Sequence, residues 1–267
     1  MNIEVYHNKC KNESLSEKSR NIRIEEFRQT SKRFIETNFF PENMLSYFIK
    51  TVTKINNRLQ GKRNICFFDI GTAEGVYAIS VMQKTKKANI VCFEPEEPRK
   101  VVLLENINKC YEKLPDSTDD TEYNIDIYEN IVSDGANSTE KLRHYECLSS
   151  GGGAGSSTIV KVDRPNRKSI DVEYDALKLD DFVDKFDYVD LVKIDVEGAE
   201  CKVIKGAPSF IEKFKPCIFL EVHTGANYGS VSIEDIKKII KSDYVYTLID
   251  SHVGLEYYLL TPKKKDE

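Results

Sequence analysis

CFFDIGTAEG at residues 66–75, with IVCFEPEEP at 90–98 one helix-length later, decides the fold. Cys66, Phe67 and Phe68 form the short apolar run that a strand buried on both faces requires, and Asp69 closes it. Gly71 and Gly75 let the backbone turn tightly and come close to a ligand. The next segment, VYAISVM, has helical spacing, which sets a helix N-terminus beside that ligand. A second apolar strand, Asn89 to Phe93, delivers Glu94 at the distance where nucleotide-binding βαβ units hold a ribose diol. A glycine pair alone is compatible with a plain structural turn; Glu94 in register turns the reading toward a bound ligand.

The acids of this turn bear on which ligand. A dinucleotide pyrophosphate calls for a third glycine and a helix N-terminus without carboxylates. Here Asp69 precedes the turn and Glu74 lies within it. S-adenosylmethionine carries a sulfonium, an ammonium and a ribose but no phosphate, so carboxylates suit it. The sequence favours that cofactor over a nicotinamide dinucleotide; a Rossmann oxidoreductase is the alternative reading.

The 267 residues suffice for one large core, and the net charge of −5, with lysines scattered among acids, leaves no basic stripe for a phosphate backbone. No nucleic-acid partner is expected. The N-terminal residues lack the apolar core of a signal peptide and no apolar run reaches membrane-spanning length, so a cytoplasmic protein without a membrane partner is expected. Seven cysteines, with no CxxC pair or short Cys/His spacing, offer no zinc site. Cys66, Cys92 and Cys217 lie in predicted strands, where free cysteine acts as a small apolar residue.

Outward from the central unit, residues 21–59 read as two helices separated by Pro41. Ile24, Phe27, Phe34 and Ile35 stripe the first, and Met44, Leu45, Phe48, Ile49, Val52, Ile55 and Leu59 the second. Residues 1–60 are thus expected to form a helical accessory layer and 61–267 the main domain. A helix is predicted over 97–114 and a third strand over YNIDIYENIVSD, residues 123–134. Between 141 and 175, short alternating pieces around the glycine run at 151–153 predict an inserted hairpin or flap. One helical stretch, GAECKVIKGAPSFIEKF, follows the strand YVDLVKID, and then come CIFLEVH, SIEDIKKIIKSD, YVYTLID and EYYLLTP. This alternation predicts an α/β fold with a mostly parallel sheet, helices on both faces and an antiparallel last strand formed by a hairpin.

LKLDDFVDKFDYVDLVKIDVEGAECKVIKGA, residues 177–207, closely resembles the signature of the FkbM-type methyltransferases. The resemblance runs from Cys66 to His223 and includes FFDIGTAEG, CFEPEE, the IVSDG strand end, LDDF, KIDVEGAE and LEVH. It implies a seven-stranded Rossmann-like methyltransferase fold and O-methylation, with S-adenosylmethionine, of a sugar, glycan or natural-product hydroxyl. By the same resemblance Asp69, Gly71, Thr72 and Gly75 form the cofactor loop, Glu94 holds the ribose, Ser133 marks the IVSDG strand end beside the cofactor, and Asp195 faces the methyl donor. Thr72 with Ala73 departs from the family pattern, where a small residue and then asparagine or glycine is commoner. A non-catalytic relative that keeps the cofactor is a further alternative, against which the retained acids argue.

Open α/β sheets bind ligands outside the carboxyl ends of their strands, and Asp69, Glu94, Asp195, Glu221 and His223 all fall at such ends. Methyl transfer needs alignment more than acid strength, yet a hydroxyl acceptor must lose its proton. Asp195, Glu197, Glu221 and His223 are therefore the catalytic candidates. A magnesium ion on Asp195, Glu197 and Glu221 is a second way to acidify the acceptor. Acids at Glu197 and Glu200 are equally explained by the helix dipole. Lys193 is expected to pair with a neighbouring acid, and His7, His144 and His252 are given no role.

Overall fold

The computed structural model describes residues 1–9, 17–37, 42–114, 121–145, 157–160, 169–225, 230–241 and 243–263. In chain order the elements are β1 (Asn2–Tyr6), α1 (Glu17–Thr37), α2 (Glu42–Leu59), β2 (Ile65–Ile70), α3 (Val76–Lys84), β3 (Lys87–Phe93), α4 (Glu97–Lys113) and β4 (Glu122–Tyr128). They continue with β5 (Ile131–Val132), β6 (Thr139–Tyr145), β7 (Ser157–Thr158), β8 (Ser169–Leu177), a 3-10 turn (Leu179–Phe182), β9 (Leu191–Ile194), α5 (Glu200–Lys205), α6 (Pro208–Phe214), β10 (Cys217–His223), α7 (Ile233–Ile239), β11 (Tyr244–His252) and β12 (Leu255–Pro262).

Every residue of β2 is buried, as its unbroken apolar run requires of a central strand. The main sheet runs β1-β4-β3-β2-β9-β10-β12-β11, with β12 antiparallel to both neighbours and the other pairings parallel. The antiparallel last strand is as expected; the count of seven is not, because eight strands are present among the described residues. The extra strand is β1, which lies within the N-terminal stretch read as helical. NIEVY alternates polar and apolar residues, and it pairs from Asn2 with Asn124 to Tyr6 with Tyr128, where the two rings stack at 4.3 Å.

Two further boundaries differ from expectation. The third strand ends at Tyr128, and the buried Glu129 that follows pairs with Lys100 and with His7. Ile131 and Val132 then pair with Ala176 and Leu177 in a separate four-stranded sheet, β5-β8-β6-β7. The single helix expected after β9 is two short ones. The break falls at Gly206, where a Cβ would lie 2.0 Å from the Ser133 carbonyl oxygen, and Pro208 starts the second helix where its missing N–H costs nothing.

Helices cover both faces of the main sheet. On one, Met44, Phe48, Val52 and Ile55 of α2 pack with α3 and α4 against Phe67, Ile90 and Phe219. On the other, Phe182 of the LDDF motif meets Phe68, Phe93 and Tyr128 edge-on at 5.2–5.8 Å, beside Phe210 of α6. Each such contact adds about 0.5–1.5 kcal/mol beyond burial, which gives the LDDF phenylalanine a packing role. Ile24 and Phe27 fix α1 onto Val102 of α4; the side chains of Phe34 and Ile35 lie outside the described residues. β6 and β8 pair antiparallel from Thr139 with Asp175 to Tyr145 with Ser169, while the glycine run at 151–153 lies outside the described residues.

Candidate active site

β2, β3, β9 and β10 end together, and their next residues meet at one rim. Gly71 takes φ +77°, and a Cβ at this position would stand 1.9 Å from the Asp195 carbonyl oxygen. The turn after β2 therefore lies directly on the end of β9, which only glycine permits. Gly71 and Thr72 donate their N–H groups to the Phe93 carbonyl, both at 3.1 Å. Thr72 is buried; its hydroxyl donates to the Asp69 carbonyl at 2.7 Å and accepts from the Phe93 N–H at 3.1 Å.

A cleft opens beside this turn, lined by Gly71, Ala73, Glu94, Glu96, Arg99, Asp195 and Glu197, with an apolar wall of Phe93, Ile131, Val132, Leu142 and Ile159. The hairpin sheet thus supplies part of the wall facing Glu94. Glu94 accepts the Ala73 N–H on one oxygen and the Glu96 N–H on the other, both at 2.9 Å, and each oxygen keeps a second lone pair for a ligand. Burial pushes its pKa up to about 7; Arg99 opposes the rise, and Glu96 and Glu74 add to it.

Of the other residues expected at the cofactor, Asp69 is fully buried behind the turn and Gly75 precedes α3. Ser133 is also buried, with its hydroxyl donating to Glu140 at 3.0 Å. Asp69, Thr72, Gly75 and Ser133 do not line the cleft; Thr72 and Ser133 are buried in the frame behind it.

Lys193 is the hub under the rim. Its ammonium donates to the Gly71 carbonyl at 2.7 Å and lies 3.3 Å from Asp195 and 3.6 Å from Asp69. Burial would lower its pKa, yet Asp195, Asp69 and Glu221 together raise it. Burial also lifts Asp69 to about 6, against the pull of Lys193. The expected pairing of Lys193 is present, with both strand-end acids at once.

β10 brings Glu221 and His223 to the same rim. His223 Nδ1 lies 2.8 Å from Glu200 Oε1, and Nε2 turns toward Glu197 and Glu221, each 3.7 Å away. Burial acts to lower the imidazole pKa; the Glu200 hydrogen bond, with Asp195, Glu200 and Glu197 as charges, raises it to about 9. Burial beside Asp195 holds Glu221 well above the carboxylate range, and Tyr257 donates to it at 3.3 Å. Glu197 is aimed from a left-handed backbone, φ +54°, a strained state for this residue type that recurs at functional sites. Ligand-capable atoms of Asp195, Glu197 and His223 lie within 4.8 Å of one another, so an imidazole stands where the magnesium reading put Glu221.

A second buried network was not legible in the sequence. Arg23 of α1 pairs with Glu96, Arg99 lies 3.1 Å from Glu74 and 3.5 Å from Glu96, and Ser157 donates to Glu96 at 3.0 Å. His144, given no role above, is buried 3.5 Å from Glu96, 3.1 Å from Ser157 and 3.3 Å from Tyr174. Burial would raise the Glu96 pKa, but the His144 hydrogen bond and the charges of His144, Arg23 and Arg99 hold it far below the usual range.

The arrangement fits a cofactor that is cationic and carries a ribose. Glu94 offers lone pairs on the cleft wall, carboxylates dominate the rim, and the apolar wall suits a flat ring. The sequence model of the methyltransferase FkbM domain matches residues 69–248. Comparison with curated proteins gives no match. Among solved structures, the chain is similar to methyltransferase FkbM from Methylobacillus flagellatus KT, at 17% identity and TM-score 0.47, covering 74% of this chain and 43% of that one. It is also similar to an O-methyltransferase family protein from Burkholderia thailandensis (8% identity, TM-score 0.45, 94% and 61% covered). A third likeness is to the bifunctional kinase-methyltransferase WbdD (13% identity, TM-score 0.42, 80% and 38% covered). The chain therefore spans less than half the length of the first of these. Among the described residues no helix is long and apolar enough to cross a membrane.

Proposed function

Because the chain belongs to the FkbM methyltransferase family, we propose that it methylates a hydroxyl on a sugar, glycan or natural-product intermediate with S-adenosylmethionine as donor. The observation that supports this reading is the Gly71 turn pressed onto Asp195, which brings the glycine turn after β2 and the strand-end acids to one rim. When bound, S-adenosylmethionine supplies a methyl group already activated by its sulfonium. Glu94 would hold the ribose hydroxyls, and Gly71 and Ala73 present backbone beside them. Asp195, fixed by Lys193, sets a negative charge where the cofactor is positive.

On the acceptor side, the ionised Glu221 carboxylate, 3.7 Å from His223, would take the hydroxyl proton, and Asp195 and Glu197 would orient the acceptor. Glu200 holds the imidazole ring in place. The Leu142 and Ile159 side chains from the hairpin sheet help to exclude water from the cleft.

Calorimetry with S-adenosylmethionine, S-adenosylhomocysteine and NAD tests the cofactor. Binding of both sulfur compounds is expected, and binding of NAD alone would reverse the reading to the oxidoreductase. Incubation with labelled methyl donor and glycan or sugar-nucleotide pools then identifies the acceptor by the product that carries label.

A further inference from the structure

Asp195, Glu197 and His223 come from two strand ends and one strained turn, yet each places a ligating atom within 4.8 Å of the others. The set is mixed: two carboxylates and an imidazole. Such a set suits first-row divalent cations better than the all-oxygen cage that magnesium prefers. His223 is buried, and its Nδ1 is held by Glu200 at 2.8 Å, so Nε2 is the atom presented to Asp195 and Glu197. Metal-bound histidines are held in this way by a carboxylate behind them.

A second observation is independent of those ligand atoms. Glu200 is fully buried, and its Oε2 has no hydrogen-bond partner among the described residues. A buried carboxylate oxygen without a partner is costly unless positive charge stands nearby. Lys193 and His223 are shared among Asp69, Asp195, Glu197, Glu200 and Glu221, and among the described residues Glu200 forms an ion pair with the imidazole alone.

We propose that Asp195, Glu197 and His223 bind a divalent cation of manganese-like preference, with Glu200 as the positioning residue behind His223. Three protein ligands leave coordination positions for water or an acceptor hydroxyl. The role of the cation rests on the methyltransferase reading. It would lower the pKa of the hydroxyl beside it, and the proton would pass from the breaking O–H bond to the ionised Glu221 carboxylate, 3.7 Å from His223 Nε2.

The test is a titration of the metal-stripped full-length protein with Mn²⁺, read by loss of the free-ion electron paramagnetic resonance signal, with no donor present. One bound Mn²⁺ per chain is expected. Glu200→Gln should weaken it about 10–100-fold, and His223→Ala and Glu197→Gln at least as much. Circular dichroism shows whether each variant is folded, and Glu197→Gln changes only a half-buried, near-isosteric side chain. An undiminished free signal with the wild-type protein, or wild-type binding by folded His223→Ala, overturns the proposal. S-adenosylhomocysteine calorimetry on the same samples separates the two readings. Mn²⁺ binding without S-adenosylhomocysteine binding sinks the methyltransferase reading and leaves the cation site standing, and the converse sinks the cation site alone.

Discussion

Glu200 Oε1 sits 2.8 Å from His223 Nδ1, and both side chains are buried. Glu200 opens α5 and His223 closes β10, so the strand-to-helix turn after β9 and the end of the next strand are bolted together at the rim. The Gly198 N–H donates to the same Glu200 oxygen at 3.0 Å, which fixes the turn that carries Glu197. A residue that the helix dipole would explain on its own is thereby tied to the rim that carries Glu197 and His223.

Replacement of Glu94 by alanine should weaken S-adenosylmethionine binding by about 1.5–3 kcal/mol, the range of a lost charged hydrogen bond. Because Ala73 and Glu96 N–H groups also lose their acceptor, Glu94→Gln is the companion variant, with the same direction and a smaller structural cost. Isothermal calorimetry decides; unchanged affinity in both variants removes Glu94 from the ribose.

Asp195→Asn keeps the shape of the side chain and removes its charge beside Lys193. If Asp195 acts on the acceptor, turnover should fall more than cofactor affinity. Equal losses in both would make it a binding residue. Steady-state kinetics beside calorimetry gives the comparison.

At Gly71, alanine would drive a Cβ to 1.9 Å from the Asp195 carbonyl oxygen and also strain a φ of +77°. The turn must then move off β9. Cofactor binding should be lost and stability should drop by about 1–3 kcal/mol, from the strained backbone alone. Retained binding at wild-type affinity would show that the turn is not the cofactor loop.

Stability should fall as pH rises through the acid-to-neutral range. The folded pKa of Glu94 is about 7 against an ordinary 4.5, and that of Asp69 about 6 against 3.8. A carboxyl whose folded pKa is raised binds its proton more tightly folded than unfolded, so its penalty is absent below the ordinary value and complete above the folded one. For Glu94 the penalty is at most about 3 kcal/mol, developed between about 4.5 and about 7. Cofactor affinity should move the other way over the same range, since the ionised carboxylate is the better acceptor for a diol. Denaturant midpoints and calorimetry across pH measure both; a Glu94→Gln protein with the same stability profile as wild type would refute the assignment to this group.

Asp190 holds Arg63 through two bonds of 2.6 and 2.7 Å and accepts the Cys66 N–H at 3.0 Å, while the guanidinium lies 3.6 Å over the Tyr188 ring. Asp190→Ala leaves a backbone N–H and a half-buried cation without their partner. A loss of about 2–4 kcal/mol is expected in chemical denaturation, with cofactor affinity unchanged because the pair sits at the amino ends of the strands, away from the rim.

Sequence alone determined the central βαβ unit, the alternation of strands and helices, the antiparallel hairpin at the end of the sheet and the family, because each depends on spacing within one or two elements. Buried strands must read as apolar runs, and a turn that touches a neighbour must be glycine; both demands are written locally. Tertiary structure decided what distant segments do to one another. The strand NIEVY has a visible alternation but becomes a strand only because β4 offers an open edge to pair with. Pro208 is visible in the sequence, whereas the reason for Gly206 is the Ser133 carbonyl, seventy-odd residues away along the chain. Lys193, Glu200, Glu96 and His144 acquire their partners only when strand ends and the hairpin sheet converge, since charge pairing acts through space and leaves no period in the chain.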